Sequence, residues 1–296
     1  MMVLIAGGTG RLGTVIVERL AQSKTAVRVL TRDRSRAKHL PSNVEIVVGD
    51  VRDRAGLDAA VGGASTVISS VQGLDDPKSS PDATDRVGNQ NLIDAAKHAG
   101  VEHFIFVSGR PATPNHPMSM ARAKYAAEHY LKQSGLSWTI IRPTAYMEFW
   151  ANLVGKPILE TGQTRMLGPG TRLMNFVSVR DVGKAVEMAV TDPSLRGVEL
   201  DMGGPENLSL NEVVAIFERV GGRKAKVSRL PLPAMRVMSV ALRPINPAMA
   251  RIMETGVAMY TTDMTWDGEE NRKRHPWLPQ TSLMEVIEAG RRPISA

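Results

Sequence analysis

VLIAGGTGRLGTVIVERL (residues 3–20) joins an apolar strand to a helix through a run of glycines. VLIAGG (3–8) has no polar alternation, the pattern of a strand buried on both faces. In 14–23, Val15, Ile16, Arg19 and Leu20 are spaced for burial on a helix. Between them stand Gly7-Gly8-Thr9-Gly10-Arg11-Leu12-Gly13. Gly7 makes the tight turn, Gly10 admits a pyrophosphate to the backbone, and Gly13 allows helix and strand to pack closely. The helix N-terminus adds unpaired N–H groups and a positive dipole end. In this strand–turn–helix context the run reads as a Rossmann phosphate turn. Gly7, Thr9, Gly10, Arg11, Leu12 and Gly13 are its candidate contacts.

The next strand, AVRVLTR (26–32), ends on Arg32. NAD-binding folds usually place an acid there, on the ribose 2′-hydroxyl. An acid would repel a 2′-phosphate, whereas a guanidinium pairs with it bidentately. Arg32, with Arg11 approaching from the turn, therefore predicts NADP as cofactor. The plainer alternative is a solvated basic helix start. Asp50 ends the third strand and is placed to accept from the adenine amino group, with Val51 beside it; equally, it caps the helix at 52–61. Ser69, Ser70, Val71 and Gln72 end the fourth strand, where the chain passes under the cofactor.

Apolar runs at 44–50, 65–71, 103–109 and 137–143 continue the alternation with helices at 89–99 and 121–134. Unalternating strands separated by helices predict a doubly wound α/β fold, a parallel sheet covered on both faces. Residues 1–145 form this Rossmann domain, and 174–195 return to it. The remainder of 146–296 forms a smaller C-terminal substrate lobe. Residues 146–171 read as loop with short helices. Residues 175–192 read as strand and helix with Asp181 as N-cap, and 198–204 as one more strand. A helix over 209–220 has Ser209 as N-cap and Glu212 as capping-box partner. Residues 230–260 are Met- and Pro-rich with weak helical spacing, and read as a mobile apolar lobe.

Composition narrows the function classes. The 296 residues carry 43% apolar and 23% charged side chains, an ordinary globular balance. No apolar run reaches the ~18 residues of a membrane span, and no basic n-region precedes VLIAGG. Cysteine is absent, which removes disulfides and thiolate chemistry and fits a cytoplasmic setting. The net charge of +7 is spread out and aromatics are 4%, so nucleic acid is not expected as a partner. Six scattered histidines show no paired ligand motif, so no metal is expected. The expected state is a monomer or homodimer acting on a small molecule, with no membrane partner.

GGTGRLG, VLTRDRSRAKHL, GDVRD, DRVGNQNLIDAAKHAGVEHFIFVSG, AEHYLKQSGLSWTIIRP and GGPENLSLNEV together resemble the atypical short-chain dehydrogenase/reductases of the NmrA-like kind. The resemblance covers residues 1 to about 210. It implies an NADP-binding Rossmann domain with a small substrate lobe. Its relatives include redox-sensing regulators, quinone and triphenylmethane reductases, and isoflavone-reductase-like enzymes. In the wider superfamily a Tyr-x-x-x-Lys pair works with an upstream Ser or Thr: Lys holds the nicotinamide ribose and lowers the Tyr pKa, and Tyr is the general acid. Ser108 and Lys124 match two of these positions. Met120 stands where the Tyr belongs and cannot transfer a proton; Tyr125, adjacent to Lys124, lies about 100° around the helix.

Three readings follow: Lys124 alone anchors the ribose and donates the proton, hydride transfer needs no strong acid, or the protein binds NADP(H) without turnover. By the same resemblance Pro143, Thr144 and Ala145 lie near the nicotinamide. Tyr146 is a candidate to stack on substrate or supply a hydroxyl, or is a packed loop tyrosine. His116 reads as a surface-loop histidine. The leading expectation is an NADPH-dependent oxidoreductase for an apolar, conjugated small molecule such as a quinone, enone or imine. Methionines from Met235 to Met259 then line an adaptable pocket or fill a core. The alternative is a non-catalytic NADP(H)-binding redox sensor or scaffold.

Overall fold

The computed structural model describes residues 1–74 and 76–291. In chain order the strands are β1 (Met2–Ala6), β2 (Ala26–Thr31), β3 (Glu45–Val48), β4 (Thr66–Ser69), β5 (His103–Val107), β6 (Trp138–Pro143), β7 (Ala145–Tyr146), β8 (Gln163–Leu167), β9 (Leu173–Val177), β10 (Val198–Met202), β11 (Asn207–Ser209) and β12 (Lys226–Leu230). The helices are α1 (Arg11–Gln22), α2 (Arg54–Val61), α3 (Asn89–His98), α4 (Ser119–Gln133), α5 (Met147–Trp150), α6 (Lys156–Thr161), α7 (Val179–Thr191), α8 (Leu210–Gly221), α9 (Leu232–Ala241), α10 (Pro247–Thr261), α11 (Glu269–Arg274) and α12 (Leu283–Arg291). The chain divides into two compact units, Met1–Pro143 with Val182–Asp201, and Thr144–Asp181 with Met202–Ala296.

The first unit is built on a seven-stranded sheet, order β10-β6-β5-β4-β1-β2-β3. β1 pairs in parallel with β2 and with β4, and the parallel pairing continues through β5 to β6. The order reverses between β1 and β4, the point where doubly wound sheets open a crevice beyond their strand C-termini. Leu4, Ala6, Val67, Phe104 and Phe106 pack against Leu57, Leu92, Ile93 and Ala127 of α2, α3 and α4. Val3, Ile5, Ile68 and Ile105 alternate with them, are also fully buried, and point to the other face. Both faces are covered, which is why these strands carry no polar alternation.

His103 and Thr139 show how the unit admits polar groups. His103 Nε2 lies 2.9 Å from Thr139 Oγ1, which donates to Leu195 O at 2.7 Å. Burial first, then the charge of Arg196, pushes the His103 imidazole down to about 4. The unfolded chain therefore takes up a proton below about pH 6.5 that the folded chain refuses until about pH 4. Stability from this site is complete above that window and falls as pH drops through it, by a total of about 3 kcal/mol. His103→Gln is expected to flatten that part of a urea-denaturation pH profile; an unchanged slope would mean His103 protonates freely in the fold.

The second unit holds the three-stranded sheet β11-β9-β7 and the parallel pair β12-β8. Its core gathers Met147, Trp150, Phe176, Val213, Phe217 and Met259. Ser209 and Glu212 form the expected capping box at the start of α8. Asp181 does not cap its helix: α7 begins two residues earlier, with Glu148 accepting from Val179 N, and the Asp181 carboxylate accepts instead from Thr281 N at 2.9 Å. Residues 230–260 are a pair of packed helices, not an irregular lobe. Met235, Met253 and Met259 are buried at 0–3% exposure, so these three fill core. Among the described residues no helix is long and apolar enough to cross a membrane.

Candidate functional site

The glycine turn is shaped by steric contacts that differ from residue to residue. Gly7 has φ +88°, a left-handed conformation that a side chain resists. A Cβ on Gly13 would lie 2.0 Å from Gly7 O and 2.7 Å from Gly8 Cα, so α1 can start this close to the turn only with glycine there. A Cβ on Gly10 would meet only Gly7 O, at 3.3 Å. The protein's own packing thus demands Gly13 far more than Gly10, as expected if Gly10 leaves space for a ligand. Gly10 N donates to Gly7 O at 3.0 Å and closes the turn. At the N-terminus of α1 no side chain caps the helix and no acid lies in the first turn, leaving the positive dipole end unopposed.

Arg32 and Asp50 lie beyond the C-termini of β2 and β3, each engaged in an ion pair. Arg32 Nη1 donates to Asp76 Oδ2 at 2.5 Å. Arg52 grips Asp50 through Nε at 3.0 Å and Nη2 at 2.5 Å, and Arg52 Nη1 donates to Lys78 O at 3.0 Å. Burial opposes ionisation of Asp50 and Asp76, but hydrogen bonds from Arg52 and Arg32 outweigh it and hold both carboxyls below their ordinary value. Asp50 does not cap α2; Asp53 does, accepting from Ala55 N at 3.2 Å. Val51 is buried, its carbonyl accepting from Asn91 Nδ2 at 3.0 Å.

At the end of β4, Ser69 donates to Asn89 Oδ1 at 2.5 Å and Ser70 donates to Ala6 O at 3.2 Å. Both hydroxyls thus have partners within the unit, which leaves backbone as the surface these residues offer a ligand. Val71 is half-buried and Gln72 exposed. Val71 O accepts from Lys124 Nζ at 2.9 Å, and Val107 O accepts from the same ammonium at 3.0 Å. Asp85 Oδ1 stands 3.3 Å from Lys124 Nζ, and the Phe106 ring lies beneath it at 5.0 Å. Lys124 is 4% exposed, a buried lysine. The ammonium thus donates to two carbonyls and faces the buried Asp85 carboxylate as its counter-charge.

Ser108 follows β5, is 7% exposed, and its Oγ has no hydrogen-bond partner among the described residues. His116 is not a surface-loop residue. It is 6% exposed, its Nδ1 accepts from Met118 N, and its Nε2 has no partner among the described residues. Burial, then Arg122, lowers its pKa. Met120 sits in the first turn of α4, half-buried. Pro143 closes β6 in the same unit. Arg142, beside it, is held by a forked pair with Glu128 and by Glu199 at 2.5 Å, anchoring β6 to α4 and β10.

Thr144, Ala145 and Tyr146 belong to the second unit. There Thr144 N donates to Met202 O at 2.8 Å and its hydroxyl to Asn175 Oδ1 at 3.0 Å. Ala145 and Tyr146 pair with Phe176 and Val177 of β9. Burial, then the charge of Glu148, pushes the Tyr146 hydroxyl well above its ordinary pKa, which makes it a reluctant proton donor. No group of three or more His, Asp or Glu side chains able to hold a metal occurs among the described residues.

Sequence reasoning found the strand-end positions but missed Asp76, Asp85 and Arg52, which carry the charge partners. The profile of the NmrA-like family matches residues 1–265. The chain belongs to the NmrA-like family. It is 31% identical over 236 residues to an NAD(P)H azoreductase of Xenophilus azovorans, covering 78% of each chain. It is 27% identical to the photosystem II assembly factor Ycf39 of Synechocystis, over 80% of this chain and 73% of that one. Its fold matches an NADPH-dependent quinone oxidoreductase of Escherichia coli, solved with NADPH, at TM-score 0.79 and 20% identity, covering 98% of this chain and all of that one.

Proposed function

We propose that this NmrA-like protein is an NADPH-dependent reductase of a small, apolar, conjugated acceptor such as a quinone, enone, imine or azo compound. The observation that carries turnover is Ser108, a buried hydroxyl without a partner among the described residues, at the C-terminal end of a central strand. Folding leaves few such groups unsatisfied, and a ligand is the ordinary reason. The glycine turn and the uncapped start of α1 suit a pyrophosphate, and Arg32 suits a 2′-phosphate. NADPH, when bound, supplies the hydride.

Around that chemistry the chain positions and excludes. Ser108 donates to the acceptor's carbonyl or imine. Lys124 ties the ends of β4 and β5 together and would hold the ribose of a bound NADPH. Pro143, which closes β6 in the same unit as the glycine turn, would flank the nicotinamide. Lys124 gives two of its N–H bonds to carbonyls and is paired in charge with Asp85, and Met120 holds no proton. The favoured acceptors are therefore those whose reduction needs no protein acid, a quinone or a cationic dye.

A second reading, a non-catalytic NADP(H) sensor or scaffold, rests on Met120 in place of the general acid. NADPH oxidation measured against quinones, azo dyes, cationic dyes, enones and imines separates the two. Turnover is expected with at least one acceptor class, and Met120→Ala is expected to retain it. Tight NADPH binding with no oxidation by any class would give the protein to the second reading.

A further inference from the structure

NAD-type folds read the ribose with an acid at the end of β2. Here that position is Arg32, yet an acid is present. Asp76 arrives from the segment after β4 and sets its carboxylate on the Arg32 guanidinium at 2.5 Å. The contact has built support: Asp76 Oδ1 accepts from Lys78 N at 2.8 Å, and Lys78 O accepts from Arg52, which is itself bound to Asp50. Two arginines and two aspartates thus meet beyond β2, β3 and β4, and their formal charges cancel.

We infer that Asp76 is a specificity-determining residue that lowers the preference for NADPH, so that the chain accepts NADH as well. This rests on the reading of Arg32 as the 2′-phosphate partner. A 2′-phosphate must displace Asp76 from Arg32 or share the guanidinium with it, and either arrangement brings like charges together. The 2′-hydroxyl of NADH meets no such conflict. It donates to the Asp76 carboxylate, which therefore does from another strand end what the usual acid does from β2. Arg32 is 43% exposed and Asp76 16%, so a ligand reaches the guanidinium most readily while the carboxylate keeps some surface open to a hydroxyl.

The test is Asp76→Asn, nearly isosteric and still able to accept from Lys78 N, with dissociation constants for NADPH and NADH measured by calorimetry on the whole chain. Wild type is expected to bind both cofactors within about tenfold of each other. The variant is expected to bind NADPH about three- to tenfold tighter, the range of an exposed charge pair plus its repulsion, and NADH no tighter. An Arg32→Ala arm separates the two levels of inference. If Arg32→Ala leaves NADPH affinity unchanged, the reading of Arg32 fails and Asp76 falls with it. If NADPH binding depends on Arg32 but is indifferent to Asp76→Asn, the assignment of Asp76 alone is overturned. Equal tightening of both cofactors overturns it too, because the effect would then be one of general charge.

Discussion

Arg32→Asp is expected to weaken NADPH binding relative to NADH by ~30–1000-fold, the equivalent of about 2–4 kcal/mol. Two effects add. The variant loses a charge-assisted, potentially bidentate partner for the 2′-phosphate and puts a like charge in its place. NADH lacks the phosphate and loses neither. The surroundings sharpen the expectation, because Asp76 stays beside the new carboxylate and Arg52 nearby is already engaged by Asp50. The two carboxylates would also repel each other, so Arg32→Ala serves as the control in which only the partner is lost. Titrating both cofactors into the three proteins at low and physiological salt checks the result; the difference shrinks with salt if it is electrostatic. An equal loss for both cofactors would show that Arg32 does not read the 2′-phosphate.

The fold was legible because its determinants are local. Gly7 and Gly13 announce a turn that few other residues can make, and the strands facing helices on both sides had no reason to alternate polarity. The charge partners were not legible, since Asp76 reaches Arg32 across 44 residues and Asp85 reaches Lys124 from a π-helical turn ahead of α3. Nothing in the spacing of an acid in a loop says which strand end it will meet. His116 misled for the opposite reason: PNHP has loop composition, but here the loop carries the ring into the interior. The β8–β12 pair went unread because each strand is short and half-exposed, and its partner lies more than 60 residues away.

Residues 230–260 show a signal that was present and undervalued. Proline and methionine blurred the helical period, yet Pro247 stands at the first position of α10, where a missing N–H costs nothing, and Asn246 caps it by accepting from Met249 N at 3.0 Å. Proline at a helix start argues for the helix, and only proline in its interior argues against it.

Lys124→Met is expected to cost about 3–5 kcal/mol of stability, the usual consequence of removing one partner of a buried pair. Methionine keeps the length and the packing over Phe106, so the loss reports charge and hydrogen bonds, not a cavity. Val71 O and Val107 O lose their donor, and the Asp85 carboxylate, whose other oxygen accepts from Gly73 N at 2.8 Å, loses its counter-ion. Asp85 is fully buried, so its charge cannot turn to water for the counter-ion it loses. Asp85→Asn in the same chain removes that charge and is expected to recover a substantial part of the loss. Urea denaturation of wild type, both single variants and the double variant closes the cycle. A loss below about 1 kcal/mol for Lys124→Met, the scale of an exposed pair, would mean that the ammonium is solvated after all. The double variant also separates structure from ligand binding. If it folds and binds NADPH as tightly as wild type, Lys124 is a pin between β4 and β5 and nothing more. If it folds but binds NADPH tenfold or more weakly, the ribose is held by Lys124 itself.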